Sequence, residues 1–122
     1  MTTQTPIGII GGSGLSDFDG IRVVETIDID TPFGKPSDSI TIAEYEGRRI
    51  AFLPRHGRGH RIPPTHAPYA ANIWAPKRLG VFWCITFSAV GSLRKEIAPE
   101  HFCIPDQIID RTRHRHDTFY DD

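Results

Sequence analysis

Short apolar segments, each followed by a loop of glycine or polar residues, constrain the fold of this chain most strongly. Residues 7–10, 49–53 and 81–87 are rich in aliphatic and aromatic side chains, and each of them ends at such a loop. Segments of this length and composition are typical of β-strands. Because residues 81–87 are apolar almost throughout, they are predicted to form a central parallel strand that is covered on both faces.

Three further segments extend the predicted sheet. Residues 21–29 and 39–45 alternate apolar and polar side chains, as half-buried strands do. Residues 46–47 are Glu-Gly and predict a hairpin turn into the strand at 49–53. Residues 102–104 are predicted to form one more short strand.

One segment has the pattern of an amphipathic helix. Residues 68–79 place their apolar side chains on one face, and Gly80 marks the end of the helix. Pro76 disfavours a regular helix interior, so a kink or an early end is expected there. Strands that alternate with a helix indicate an α/β fold.

Size and composition are those of a globular domain. The chain has 122 residues, of which 39% are hydrophobic and 24% charged, enough for one domain with one core. No apolar run approaches the roughly 20 residues that span a bilayer, and the first residues lack the features of a secretory signal. A cytoplasmic protein is expected, with no membrane partner. Cys84 and Cys103 are expected to be buried reduced thiols, since they form neither a metal motif nor a disulfide framework.

The charges are segregated along the chain although the net charge is only -1. No Asp or Glu lies between Gly47 and Lys95, whereas nine Lys and Arg residues do. A positive segment without acids suits an anionic ligand, and solvated surface charges are an equally good interpretation. Nucleic-acid binding is disfavoured, because aromatic residues are not interleaved with the arginines as a stacking surface requires.

The glycine-rich loop after the first predicted strand is a candidate anion site. In Gly11-Gly12-Ser13-Gly14, the glycines let backbone N–H groups approach an anion, and the Ser13 hydroxyl adds a donor. Asp17 and Leu15 stand where a dinucleotide-binding motif and a nucleophile elbow, respectively, require glycine. A plain tight turn is the alternative interpretation.

Arg55 and His56 follow the predicted strand that ends at Leu53. The planar guanidinium matches the oxygens of phosphate and the imidazole can donate a further hydrogen bond, which indicates an oxyanion clamp. An exposed loop is the alternative. A metal site that includes His60 and His66 is disfavoured, because Gly and Pro interrupt the spacing and no Cys or carboxylate is near in sequence.

The third candidate loop, residues 88–92, follows the apolar run 81–87. Its small residues allow a flat ligand to lie against the backbone, and the Ser88 hydroxyl and nearby N–H groups can donate to an anion. The alternative is an ordinary transition from strand to loop. All three loops follow strands, and ligands of open α/β sheets bind at the carboxyl ends of strands.

Six collinear segments resemble the methylthioadenosine phosphorylase branch of the purine nucleoside phosphorylase family, in its N-terminal portion. They cover nearly the whole chain and are residues 7–15, 31–38, 52–64, 71–75, 88–94 and 104–112. The resemblance implies a central mixed β-sheet flanked by helices, in which residues 1–122 are the N-terminal part of a single nucleoside phosphorylase domain. It further implies a homotrimer with no metal and no organic cofactor.

The implied reaction is the phosphorolysis of methylthioadenosine to adenine and methylthioribose 1-phosphate, with purine nucleoside and inorganic phosphate as substrates. Two alternatives stay open: a 6-oxopurine nucleoside phosphorylase that acts on inosine or guanosine, and an inactive module that binds phosphate or pairs with other subunits.

The resemblance also assigns roles to residues of this chain. The phosphate-binding positions are Ser13, Arg55, His56, Ser88 and Ala89. The nucleoside-binding positions are Ala89, Val90 and Gly91. No residue of the chain is assigned a catalytic role, because the resemblance places the aspartates that recognise the base, and the methionine under the ribose, beyond residue 122.

Overall fold

A computed structural model describes residues 5–12 and 19–120 of the chain. In chain order the strands and helices are β1 (Ile7–Gly11), β2 (Arg22–Ile27), β3 (Ile40–Tyr45), β4 (Arg48–Pro54), a short 3-10 helix (Pro64–His66), α1 (Tyr69–Arg78) and β5 (Trp83–Thr86). The strands form one five-stranded sheet in the order β2-β3-β4-β1-β5.

The sheet is mixed, as the resemblance implied. β1 lies between β4 and β5 and is parallel to both, whereas β3 is antiparallel to β4 and to β2. Gly11 is in register with Pro54, and Ile10 is in register with Thr86. The three parallel strands therefore end at the same edge of the sheet, and the loops that follow them start side by side.

The hydrophobic core lies where alternate side chains of β1, β3 and β4 meet α1. Its buried residues are Ile10, Ile40, Ile42, Ala51, Leu53 and Ala75. Ala71 and Ala75 of α1 are fully buried, and their small side chains let the helix backbone lie close to the sheet. The helix thus packs against β1, β3 and β4 at the middle of the sheet.

Helix α1 occupies the predicted segment and ends close to the expected position. Pro76 lies in its last turn, where the proline cannot donate a backbone hydrogen bond. The Pro76 carbonyl accepts the N–H groups of Leu79 and Val81, both at 3.1 Å, and Gly80 then adopts a φ of 86°. A helix of this length does not cross a bilayer, and no other helix in residues 5–12 and 19–120 is long and apolar enough to do so.

The predicted position of the apolar run 81–87 is wrong. Only residues 83–86 form a strand, β5, and this strand lies at the edge of the sheet, since β1 is its one partner within the described part of the chain. Its four residues are all exposed. The central parallel strand is β1, which pairs on both sides.

Two other predictions made for the second half of the chain are also wrong. Residues 102–104 form no strand, and Phe102 and Ile104 are 88% and 94% exposed, because this segment pairs with no strand of the sheet. Cys84 and Cys103 are free thiols as predicted, but both are exposed rather than buried. Cys84 is exposed because it lies on the edge strand β5.

Candidate functional site

Two backbone hydrogen bonds bring the ends of the three parallel strands together. The Arg55 N–H donates to the Gly11 carbonyl at 2.9 Å, one residue beyond the end of β4. The Phe87 N–H donates to the Ile10 carbonyl at 3.0 Å, one residue beyond the end of β5. The sheet pairing thus continues into the loops, so Arg55 and Ser88 start from fixed backbone positions on either side of β1.

The side chains of Arg55, His56 and Ser88 meet at this edge, as the loop positions predicted. Nη1 of Arg55 donates to Ser88 Oγ at 2.8 Å, and Nε of Arg55 donates to His56 Nε2 at 3.3 Å. Arg55 is half-buried and Ser88 is exposed, so the cluster is open to solvent on one side. A guanidinium next to a hydroxyl is a pair of donor groups that suits an oxyanion.

The buried His56 ring is held in one orientation. Its Nδ1 lies 3.0 Å from the Ile62 carbonyl, and the Ile62 N–H donates back to the His56 carbonyl at 3.0 Å. A carbonyl only accepts, so Nδ1 carries the proton and the lone pair of Nε2 faces Arg55. Both ring nitrogens are engaged in this way, so His56 orients Arg55 here and does not present the free donor that the sequence predicted. The ring also stacks on that of His60, with the two centroids 4.9 Å apart.

A buried polar cluster beneath the loop supports the end of β4. Ser37 Oγ donates to the Pro54 carbonyl at 2.6 Å, and the Ser37 N–H donates to Oδ1 of Asn72 at 2.8 Å. Ser37 and Asn72 are 1% and 2% exposed, so both hydrogen bonds are protected from water. Asn72 belongs to α1, and the cluster therefore ties the helix to the strand that precedes Arg55.

No role was predicted for Ser37 and Asn72, although the sequence carries one signal of their contact. Asn72 is an amide in a helix whose neighbouring buried positions are alanine and proline. A polar side chain at a core position needs a hydrogen-bond partner. This requirement points to the polar residues of the adjacent loop.

Asp38, which precedes β3, accepts hydrogen bonds from the Arg-rich loop, residues 55–61. Its carboxylate accepts the Arg58 N–H at 2.7 Å, the Ser39 N–H at 2.9 Å and the Arg61 guanidinium at 3.4 Å. Burial raises the pKa of Asp38, but the hydrogen bonds from these donors and the Arg61 charge together bring it below the usual value of 3.8. Asp38 is therefore ionised at neutral pH.

The remaining predicted site residues lie outside this cluster or outside the described residues. Ser13 falls in residues 13–18, which are not among those that the structure describes. Ala89, Val90 and Gly91 are exposed and line an open depression that extends from β5 to residue 105. Their role in nucleoside binding stays a prediction.

The histidines near this cluster do not form a metal site with any of the described residues. Within 5–12 and 19–120, no group of three or more His, Cys, Asp or Glu side chains is arranged to hold a metal ion. Because Arg55 contacts His56 directly, the charge next to this imidazole opposes a cation and favours an anion.

The fold and the cluster of Arg55, His56 and Ser88 at the strand ends point to a class of protein, and a comparison with known families agrees. The sequence profile of the phosphorylase superfamily matches residues 6–122, so the chain belongs to this superfamily. The predicted family membership is confirmed.

The chain is similar to methylthioadenosine phosphorylases over part of their length. The S-methyl-5'-thioadenosine phosphorylase of Nitrosopumilus maritimus is 51% identical over 122 residues, which is 100% of this chain and 46% of the relative. The crystal structure of a methylthioadenosine phosphorylase from an antarctic soil metagenomic library has a TM-score of 0.88 and 47% identity, over 93% of this chain and 39% of that one.

A third relative was solved with a ligand. The methylthioadenosine phosphorylase of Schistosoma mansoni in complex with adenine has a TM-score of 0.86 and 40% identity, over 95% of this chain and 42% of that one. The chain thus spans less than half the length of each of these relatives.

Proposed function

We propose that this chain is the phosphate-binding part of a methylthioadenosine phosphorylase, with residues 1–122 belonging to a single phosphorylase domain. The observation that carries the proposal is the convergence of Arg55, His56 and Ser88 at the carboxyl ends of β4 and β5. The names of the relatives support methylthioadenosine as the nucleoside. The proposed protein is a homotrimer in the cytoplasm. It uses phosphate as a substrate and needs no cofactor.

The proposed reaction joins a phosphate oxygen to the anomeric carbon of the sugar. As that C–O bond forms, the bond from the same carbon to the purine nitrogen breaks, and its electron pair leaves with the purine, which takes up a proton. The products are adenine and methylthioribose 1-phosphate. Positive charge develops on the sugar in the transition state, so a phosphate held beside it stabilises that state electrostatically.

The residues of this chain would bind and orient the phosphate. Arg55 supplies a planar fork of charged donors, and Ser88 supplies a hydroxyl that is already hydrogen-bonded to Arg55. We include Ser13 and the Ala89 backbone in the same site on the strength of the resemblance. Ala89, Val90 and Gly91 would let the nucleoside lie against the backbone, because their side chains are small or absent.

Phosphate binding by the chain tests the first part of this proposal. Phosphate should raise the thermal unfolding midpoint, since a ligand at 100 times its Kd stabilises the native state by about 2.7 kcal/mol. Arg55→Ala and Ser88→Ala should reduce this shift. Arg22→Ala is the matched control, because it removes the same charge from β2 at the far edge of the sheet.

Turnover tests the second part. Adenine release from methylthioadenosine and phosphate, compared with base release from inosine, separates the two nucleoside classes. Phosphate-dependent stabilisation without release of either base, even with the C-terminal portion supplied in trans, would support the alternative of an inactive binding module. The unmodified chain must be stabilised by phosphate, and a lack of any shift would remove the proposed site.

A further inference from the structure

We propose that Asp38 is a positioning residue of the phosphate site, which holds Arg55 and His56 in place through the loop of residues 57–62. This inference rests on the proposed function. Asp38 does not touch Arg55 or His56 in the structure, so its effect on phosphate would pass through that loop.

The loop is closed on itself by three backbone hydrogen bonds. The Gly57 N–H donates to the Pro54 carbonyl at 3.0 Å, and the His60 N–H donates to the Gly57 carbonyl at 3.1 Å. The Ile62 N–H donates to the His56 carbonyl at 3.0 Å. Because Ile62 also holds the imidazole, the His56 ring cannot keep its orientation when the loop moves.

Asp38 attaches this loop to the sheet at two points. Its carboxylate accepts the Arg58 N–H at 2.7 Å and the Arg61 guanidinium at 3.4 Å. Arg61 also donates to the Ser37 carbonyl at 2.9 Å. Ser37 is itself fixed by buried hydrogen bonds, so the attachment is rigid on the sheet side.

The pairing of the Asp38 carboxylate also leaves the charge of Arg55 without a carboxylate partner among the described residues. Asp38 is 14% exposed and pairs with Arg61, not with Arg55. Within residues 5–12 and 19–120, Arg55 forms no ion pair with a carboxylate, so its charge is available to an anion. A carboxylate paired with Arg55 would compete with phosphate, whereas the Asp38 carboxylate is paired with Arg61.

Asp38→Asn tests this inference, because it keeps the shape of the side chain and removes the charge and one acceptor. Asp30→Asn is the matched control, since Asp30 is 89% exposed and pairs only loosely with Lys35 at 3.8 Å. We expect Asp38→Asn to weaken phosphate binding about tenfold, the size of effect that loss of a charged hydrogen bond produces. Asp30→Asn should leave the Kd unchanged. In hydrogen exchange, the Arg58 amide should become less protected in Asp38→Asn alone.

A double-mutant cycle separates positioning from general stability. Arg55→Lys keeps the charge but removes the planar guanidinium. In this background, Asp38→Asn should change the Kd for phosphate by less than about twofold. An equal tenfold loss in both backgrounds would mean a merely structural role and overturn the inference. If Asp38→Asn does not fold, Arg61→Gln must show the same coupling to Arg55→Lys, and independent effects would overturn it.

The same experiment distinguishes failure of this inference from failure of the proposed function. Phosphate binding that is unchanged in Asp38→Asn refutes the positioning role and leaves the proposed function intact. Absence of phosphate binding by the unmodified chain refutes the proposed function, and the positioning role with it.

Discussion

Two glycines of the Arg-rich loop allow a quantitative test of how tightly the loop is packed. Gly57 and Gly59 have nearly the same backbone conformation, with φ of 71° and 74°. A Cβ at Gly59 would meet nothing within 4 Å, whereas a Cβ at Gly57 would lie 2.8 Å from Arg61 Nε and 3.1 Å from the Ser37 carbonyl oxygen. Substituting each glycine by alanine therefore separates the cost of the conformation from the cost of the contact.

The expected costs follow from these distances. Either substitution lowers the free energy of unfolding by about 1–2 kcal/mol, because alanine must adopt the left-handed conformation. Gly57→Ala must also displace Arg61, which breaks its hydrogen bond to the Ser37 carbonyl. Because the Arg61 side chain is 61% exposed, screening limits that loss to about 1 kcal/mol. Gly57→Ala is therefore expected to destabilise the chain by about 1 kcal/mol more than Gly59→Ala.

Urea and thermal unfolding of the two variants measure this difference. For a domain of this size, 1 kcal/mol corresponds to a gap of about 4 °C in the unfolding midpoint. Gly57→Ala should also weaken phosphate binding, because it displaces an arginine that the loop uses for its attachment. Equal midpoints for the two variants, or a lower one for Gly59→Ala, would contradict the contact argument.

Three further results are expected. Gly8→Ala should cost about 1–3 kcal/mol, since its Cβ would lie 2.8 Å from Val81 Cγ1, and Val81→Ala in the same chain should recover part of that loss in urea unfolding. Asn72→Ala should cost about 2 kcal/mol in the same assay, because the buried Ser37 N–H loses its acceptor, and a loss below about 0.5 kcal/mol would contradict this. The pKa of Asp38 is lower in the folded chain than its usual value, so its contribution to stability is present above pH 4 and is lost as the pH falls through the folded pKa. The free energy of unfolding should therefore fall less with decreasing pH in Asp38→Asn than in the unmodified chain. Identical pH profiles of the two would refute this.

The sequence allowed the local elements to be predicted, and the order of strands less well. β1, β3 and β4 were predicted within a few residues, because their apolar patterns match burial against α1. The apolar run that contains β5 was predicted to be central. Strand composition records how apolar a strand is and does not specify its neighbours, so Trp83 and Ile85 gave no sign that they are 66% and 47% exposed in this structure.

The candidate site was also predicted only as far as local patterns allow. Arg55, His56 and Ser88 were predicted because each follows a strand, and parallel strands bring their ends together. The supporting contacts were missed, because they join residues that are far apart in sequence. Ser37 and Asn72 are 35 positions apart, and Asp38 and Arg58 are 20 apart. Patterns within one segment do not reveal such pairs.

The edge position of β5 has a practical consequence for work with this chain. Its outer backbone N–H and C=O groups pair with no strand of the described chain, and Phe82 beside it is 78% exposed. An unpaired edge with apolar side chains is a template for strand addition between molecules, and so a site of aggregation. The apparent molar mass from light scattering should rise with concentration, and Ile85→Lys should suppress that rise.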